Sequence, residues 1–227
     1  MWFSHVFTNK ELEEKTKNLY LTCRENVNKM PLFFEDYFGL SYKLTFGEKE
    51  PKKSIYYLLD KYYQNEYYIK ETFVNKYLKN NNVVFEYPVG NSRADIVEIQ
   101  NSIRCYEIKT KYDNLNRLLK QINDYSNVFE YVSVICSEEK YLKIKKIIPN
   151  FCGIIIYSDG KNARFREIKK ASRSKNFKIV NTLKLFSKRE LINNFNTYDI
   201  EKILKKSSKK EITIVCKEML LKKALFH

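Results

Sequence analysis

The chain has 227 residues, of which 44% are hydrophobic and 15% aromatic, and its formal net charge at pH 7 is +15. This composition excludes a disordered chain, because disordered chains lack the apolar residues needed for a core. The positive charge indicates a polyanionic partner, either nucleic acid or an acidic membrane surface. An AT-rich genome is a second explanation of the lysine content. The two histidines, His5 and His227, lie at opposite ends of the chain, which argues against a serine or cysteine nucleophile with a histidine base.

Cysteine usage indicates a reducing compartment. The chain has five cysteines, and no two of them have the CxxC spacing typical of zinc sites. We interpret Cys105, Cys136 and Cys152, which lie in apolar runs, as buried hydrophobic residues. The N-terminus has no basic region followed by an apolar run, and no apolar stretch approaches ~18 residues. These features predict a cytoplasmic protein without a membrane span.

The N-terminal third is predicted to be helical. Residues 1–52 read as a helical extension of no assigned role, and their aromatic-rich piece, PLFFEDYFGL, is expected to dock on a surface that the sequence does not identify. Gly47 and Pro51 in a polar stretch indicate a break. From Ser54 to Lys79, apolar residues recur at steps of three and four, which predicts one helix.

The hydrophobic period changes at the centre of the chain, where short β-branched and aromatic runs alternate with turn residues. Three such runs, 83–87, 94–99 and 103–109, predict an antiparallel meander. Asp113 is then expected to cap a helix that runs to Val128.

The second half of the chain predicts further strands and then helices. An apolar strand at 131–137, a helix at 137–148 and a pair of strands at 151–158 and 163–168 are expected. Ser187 and Glu190 fit a capping box, and helical segments are expected at about 188–194, 197–206 and 210–225. The order of elements predicts a mixed sheet flanked by helices, in the α/β or α+β class. We divide the chain into a helical extension (1–52), a core (53–170) and a C-terminal helical appendage (171–227).

Candidate catalytic residues lie in the meander, in the stretch GNSRADIVEIQNSIRCYEIKTK. With the turn at 100–102, Asp95 is expected opposite Glu107, and Glu107 and Lys109 point to one face of their strand. Facing carboxylates repel each other, and a divalent cation such as Mg²⁺ removes that repulsion. Lys109 is placed to orient or deprotonate a water, or to stabilise a charged transition state. The alternative is an ordinary Glu–Lys pair on an exposed sheet face, but the run around Glu107 looks buried.

Two helices add polar residues at a spacing of one turn. Gln121 and Tyr125 share a helix face, and Arg117 extends it. Glu66 and Lys70 share a face of the upstream helix. The alternatives are a polar helix edge and a surface ion pair, respectively.

These residues together resemble the PD-(D/E)XK nuclease superfamily. The resemblance rests on Asp95, on the Glu107-Ile108-Lys109 run and on Gln121 with Tyr125, which look like the QxxxY motif of the RecB-type branch. A closer resemblance is to small, poorly characterised bacterial and mobile-element proteins of this superfamily, over about residues 65–160. Ala94 stands where the family name has Pro, which removes no ligand.

The resemblance implies a restriction-endonuclease-like core with a mixed four-stranded sheet. It implies that Asp95, Glu107 and the Ile108 carbonyl bind Mg²⁺ or Mn²⁺, with Lys109 as catalytic lysine. The helix acid would be Glu66, with Glu71 as second choice. The supporting or DNA-contacting residues would be Lys70, Arg93, Arg117, Gln121 and Tyr125.

The leading hypothesis is therefore a Mg²⁺-dependent deoxyribonuclease whose partner is DNA. No membrane partner is expected. A second hypothesis is a non-catalytic nucleic-acid- or protein-binding module on a nuclease fold. A third is a structural or inhibitory factor of a mobile element that binds a host protein. The tail helices fit either a lid on the core or a sequence-reading module. The residues do not distinguish DNA from RNA, endonuclease from exonuclease, or one oligomeric state from another.

Overall fold

The computed structural model describes residues 6–79, 82–158 and 163–224, which belong to two compact units. The first unit is Met1–Ile69 with Ser158–Arg164, and the second is Lys70–Tyr157 with Phe165–His227. The C-terminal helices therefore fall in the same unit as the sheet. The three-part division expected from the sequence stays a prediction.

The first unit is helical in its described residues. Its core is formed by fully buried apolar side chains, among them Leu12, Leu19, Met30, Phe34 and Leu58. Thr8 and Glu11 form a capping box that begins the first helix. The α-helices are α1 (Asn9–Cys23), α2 (Met30–Phe38), α3 (Tyr42–Phe46) and α4 (Pro51–Tyr62), with a 3₁₀ turn at Val27–Lys29.

The single helix predicted from Ser54 to Lys79 is wrong. Helix α4 ends at Tyr62, and a separate helix α5 (Glu66–Phe73) follows, continued by a π-helical turn at Val74–Leu78. The backbone amide of Tyr68 donates to Oδ1 of Asn65 at 2.9 Å. An asparagine side chain that bonds the next turn in this way competes with continuation of the preceding helix, so the chain restarts here.

The second unit is built on one mixed sheet, which holds six strands in the described residues, in the order β1 to β6. Neighbours β1–β2, β2–β3 and β5–β6 are antiparallel, whereas β3–β4 and β4–β5 are parallel. The strands are β1 (Val83–Val89), β2 (Ser92–Ile99), β3 (Ile103–Lys109), β4 (Tyr131–Ser137), β5 (Gly153–Tyr157) and β6 (Phe165–Lys169). The predicted mixed sheet with flanking helices is confirmed, whereas the four-stranded restriction-endonuclease-like core within it stays a prediction.

Helix α6 (Leu118–Ser126) follows β3 and begins later than predicted. Oδ2 of Asp113 accepts from the backbone amide and from the hydroxyl of Thr110, both at 2.7 Å. Asp113 therefore closes a turn at the end of β3 instead of capping a helix. Helix α7 (Tyr141–Ile147) connects β4 to β5 after a 3₁₀ turn at Glu138–Lys140.

The tail helices cover part of the sheet. They are α8 (Ile179–Leu183), α9 (Lys188–Phe195), α10 (Ile200–Lys206) and α11 (Lys209–Ala224). The predicted capping box of Ser187 and Glu190 is confirmed at the start of α9. Apolar side chains from all four helices join one core cluster with strand residues such as Val97 and Cys105. All five cysteines are buried and unbridged, which confirms the predicted burial of Cys105, Cys136 and Cys152. In the segments that the structure describes, no helix is long and apolar enough to cross a membrane.

Candidate active site

Asp95 on β2 and Glu107 on β3 lie at the predicted register. Ile96 pairs with Tyr106 and Val97 with Cys105, so continuing the ladder by one residue sets Asp95 opposite Glu107. Oδ2 of Asp95 accepts from the backbone amide of Ile108 at 2.6 Å. Asp95 is 8% exposed and Glu107 is 1% exposed, so both carboxylates are inside the fold. Carboxylates at such depth require donors or a cation.

Glu107 is held by donors from its own strand and from α6. Its Oε1 accepts from Nζ of Lys109 at 2.7 Å and from Nε2 of Gln121 at 2.5 Å. Its Oε2 lies 2.9 Å from the hydroxyl of Tyr125. Gln121 and Tyr125 both reach this carboxylate because they are one helical turn apart on α6. The cluster of Glu107, Lys109, Gln121 and Tyr125 is called the Glu107 cluster below.

Tyr125 is the deepest member of the Glu107 cluster. Its hydroxyl also lies 2.7 Å from the carbonyl oxygen of Arg93, so its single proton has two acceptors. Burial raises the pKa of Tyr125 far above its usual range, and the negative charges of Glu107 and Asp95 raise it further. The hydroxyl therefore stays protonated and acts as a donor. It also follows that both carboxylates act electrostatically on one phenol.

Glu86 on β1 is a third acid, beside Asp95, and the sequence reasoning missed it. The register of β1 with β2 sets Glu86 opposite Asp95, and a carboxylate oxygen of Glu86 lies within 4.8 Å of one of Asp95. Its backbone has a left-handed φ of 52°, which is uncommon for a residue other than glycine. The core-facing residues of β1 are accordingly three apart at this point, Val84 and Tyr87, instead of two.

The carboxylate of Glu86 joins two of the predicted supporting cations. Its Oε1 forms an ion pair with Nζ of Lys70, whose side chain is largely buried. Its Oε2 lies 3.1 Å from Nε of Arg93, whose side chain is mostly exposed. Two cations therefore share one carboxylate at the rim of the site. No feature of the stretch FEYPV distinguishes Glu86 from an ordinary solvent-facing strand residue, so only the backbone geometry reveals it.

The remaining predicted residues lie at the start of α6 and on α5. Arg117 is exposed and stands at the N-cap of α6. Glu66 is the first residue of α5 and belongs to the first unit, whereas Lys70 and Glu71 belong to the second. The choice of Glu66 over Glu71 as helix acid stays a prediction.

The donor set of the site suits a hard cation. Asp95 and Glu107 supply carboxylate oxygens, which Mg²⁺ and Mn²⁺ prefer. Oε1 of Gln121 is buried and has no hydrogen-bond partner in the part of the chain that the structure describes. Cys105 is the nearby sulfur, but burial raises the pKa of its thiol well above the usual range, and the charges of Glu107 and Asp95 raise it further. Cys105 therefore stays a neutral thiol and does not offer the thiolate that soft metals require.

Fold and site together define a mixed α/β protein with a buried carboxylate cluster at the junction of β2, β3 and α6. A family model described as Bacteriophage P4 protein cII matches residues 60–226. Because this match spans most of the chain, the protein belongs to that family. The match includes the whole Glu107 cluster and omits most of the first unit.

Individual relatives cover less of the chain. Protein cII of Enterobacteria phage P4 is 27% identical over 107 residues, which are 45% of this chain and 40% of that protein. The match thus spans less than half of the relative's length. The chain is also similar to a solved structure, the SPO1766 protein of unknown function from Silicibacter pomeroyi, with a TM-score of 0.36 and 16% identity over 46% of this chain and 70% of that one.

Proposed function

We propose that the protein is a metal-dependent nuclease that hydrolyses phosphodiester bonds of DNA. The observation that carries this proposal is Glu107, a carboxylate 1% exposed that contacts Lys109 at 2.7 Å and lies opposite Asp95 on the neighbouring strand. Burying two acids and a lysine in a fold costs free energy of folding. Such a cost is commonly retained where the charges serve binding or catalysis. Perturbed charge clusters of this kind concentrate at functional sites.

Asp95 and Glu107, with the carbonyl of Ile108, are the proposed ligands of Mg²⁺ or Mn²⁺. Such a cation would neutralise the carboxylates and polarise the scissile phosphate. Gln121 and Tyr125 fix the orientation of Glu107 through its two oxygens. This fixed orientation lowers the reorganisation needed when the charged substrate arrives.

Lys109 is the proposed catalytic lysine. Its ammonium group lies against Glu107 Oε1, and its side chain is only 12% exposed. A lysine held by one acid in a poorly solvated site supplies positive charge at a fixed position. We assign it the role of stabilising the negative charge that develops on the phosphate in the transition state.

Strands β1 to β4 with α5 and α6 would form the restriction-endonuclease-like core of this proposal. Strands β5 and β6 and the tail helices would then be additions to that core. Glu66, at the first turn of α5, would be the helix acid. The order of strands β1 to β4 and the contacts of α6 with Glu107 support the proposed core.

DNA is the proposed substrate because the chain carries a formal charge of +15. Such a charge favours the phosphate backbone and makes affinity fall with salt. Lys70, Arg93 and Arg117 are the proposed contacts to phosphate. The Lys70 and Arg93 side chains already bind the two carboxylate oxygens of Glu86. A phosphate group presents a similar pair of negatively charged oxygens.

A second candidate function is a non-catalytic nucleic-acid- or protein-binding module. The observation in its favour is that Glu107 accepts from three side chains, Lys109, Gln121 and Tyr125. A polar network with so many internal bonds is also what a purely structural cluster shows. Tight binding of DNA that stays intact would favour this candidate.

The test is incubation of the protein with linear, circular and single-stranded DNA and with RNA, each with Mg²⁺, with Mn²⁺ and with a chelator. The proposal predicts cleavage of DNA in the presence of either cation and none with the chelator. Products from circular DNA would identify an endonuclease. Binding without cleavage in every condition would overturn the proposal and leave the binding module.

A further inference from the structure

The first unit contains a cavity of about 260 Å³ that the proposed nuclease site does not use. All of its lining residues lie between positions 20 and 67, so it is built within this unit. Its lining includes three buried side chains, Cys23, Ile55 and Leu59. These side chains form an apolar wall of the cavity. Most of the lining also precedes residue 60, where the family match begins.

Tyrosine rings form another part of the cavity lining. The ring centroids of Tyr20 and Tyr67 are 5.9 Å apart, and those of Tyr56 and Tyr67 are 6.0 Å apart. The hydroxyl of Tyr56 donates to that of Tyr67 at 3.1 Å. Burial and the neighbouring Tyr67 raise the pKa of Tyr20, which keeps its hydroxyl neutral. Linked rings of this kind present flat apolar faces together with polar edges.

The charged residues of the lining favour an anionic ligand. Arg24 and Lys52 carry positive charge and Glu25 carries negative charge, and all three are exposed residues. Two positive charges less one negative charge leave a net charge of +1 among the lining residues. Tyrosine cages also bind quaternary ammonium groups, but a lining with net positive charge repels such a cation.

We propose that this cavity binds one base of a single-stranded nucleic acid, with Arg24 and Lys52 on the adjacent phosphates. Stacking of a base on tyrosine faces is tolerant of sequence, and cations beside the rings follow the backbone. A cavity somewhat smaller than the roughly 300 Å³ at which drug-sized pockets begin suits a single planar base. The proposal does not depend on the nuclease function, because the cavity lies in the other unit.

The binding test uses the full chain in a chelator, so that no cleavage takes place. A fluorescein-labelled oligothymidylate is compared with an abasic oligonucleotide of the same length and charge, by fluorescence anisotropy. Tyr67→Ala is expected to weaken binding of the oligothymidylate roughly 5- to 100-fold and to leave binding of the abasic strand nearly unchanged. Tyr67→Phe keeps the ring and is expected to bind almost as the parent protein does. Tyr198→Ala, at a tyrosine 53% exposed in the second unit, is the matched control.

Two further measurements keep the inference testable if Tyr67→Ala does not fold. Lys52→Gln is expected to reduce the slope of log affinity against log salt by about one phosphate contact. A strand containing 5-iodouracil is expected to crosslink on irradiation to a peptide that contains Tyr20, Tyr56 or Tyr67. Equal losses for the normal and abasic strands, crosslinks confined to the second unit, or competition by tetramethylammonium would each overturn the proposal.

Discussion

The hydroxyl of Tyr125 lies 2.9 Å from Oε2 of Glu107, and so connects helix α6 to the third strand of the sheet. The phenol is fully buried, and Glu107 is 1% exposed. A donor at this depth compensates a carboxylate that has lost its water. The same contact also holds one carboxylate oxygen of Glu107 in place.

The first prediction concerns the stability that this contact supplies. Tyr125→Phe removes the hydroxyl and keeps the ring, so it leaves Glu107 with one donor fewer. We expect a loss of about 1–3 kcal/mol in the free energy of unfolding at neutral pH. Urea denaturation of this variant, beside Tyr198→Phe at an exposed tyrosine, measures the loss. Equal stability of the two variants would show that Glu107 does not need this donor.

The second prediction concerns metal binding and does not rely on activity. Mg²⁺ or Mn²⁺ should raise the melting temperature of the parent protein, because a ligand that binds only the folded state stabilises it. Asp95→Asn removes one proposed ligand charge and should abolish most of that increase. Asp199→Asn changes a helix cap outside the site and should keep the increase. A full response to the cation in Asp95→Asn would remove Asp95 from the proposed ligands.

Much of the sheet could be predicted from the sequence, since strand alternation and turn residues are local signals. The turn at 100–102 sets the β2–β3 register, and this was sufficient to bring Asp95 opposite Glu107. The spacing of Gln121 and Tyr125 was likewise sufficient to set both on one face of α6. The hairpin register and the shared helix face both depend on residues close together in the sequence, which is why the sequence was sufficient to predict them.

The predicted helix boundaries were wrong where a side-chain hydrogen bond to the backbone determines the local conformation. Asn65 interrupts the helix predicted from Ser54 to Lys79, and Asp113 bonds back to Thr110 instead of opening α6. Either role is open to an asparagine or an aspartate, so residue type alone does not choose between them. Glu86 is harder still, because a glutamate with φ of 52° has no sequence signal.

The third prediction uses Glu86. Its carboxylate binds Lys70 and Arg93, the cations proposed to hold DNA phosphate. Glu86→Gln removes that competing charge and should tighten DNA binding several-fold, with a salt dependence steeper by about one to two phosphate contacts. Anisotropy titrations at several salt concentrations measure both. Weaker binding by Glu86→Gln would show that Glu86 supports the DNA site instead of competing with phosphate.

The fourth prediction concerns acid pH. Burial acts to raise the pKa of Glu190, but hydrogen bonds from Ser187 and the charge of Lys223 lower it below 4.5 overall. A lowered pKa in the folded state stabilises the fold above the unfolded value, and this contribution is lost as the pH falls through the folded value. Glu190→Gln should therefore be less stable than the parent protein at pH 7, by about 0.5–1 kcal/mol, and nearly as stable near pH 3.

The control for Glu190 is Glu218→Gln, which makes the same charge change at an exposed residue of α11. Urea denaturation at both pH values should show little effect of that change. A difference between Glu190→Gln and the parent protein that is the same at pH 3 and pH 7 would show that the carboxylate charge is not involved.

The rate of DNA cleavage by Lys109→Ala, measured together with its DNA binding, tests the nuclease proposal most directly. Because the lysine charge is proposed to act on the transition state, the variant should cleave roughly 10²-fold or more slowly while binding DNA with nearly parental affinity and salt dependence. Lys205→Ala, on α10, should behave as the parent protein in both assays. Equal cleavage by Lys109→Ala and the parent protein, or a loss explained entirely by weaker binding, would contradict the catalytic assignment of Lys109.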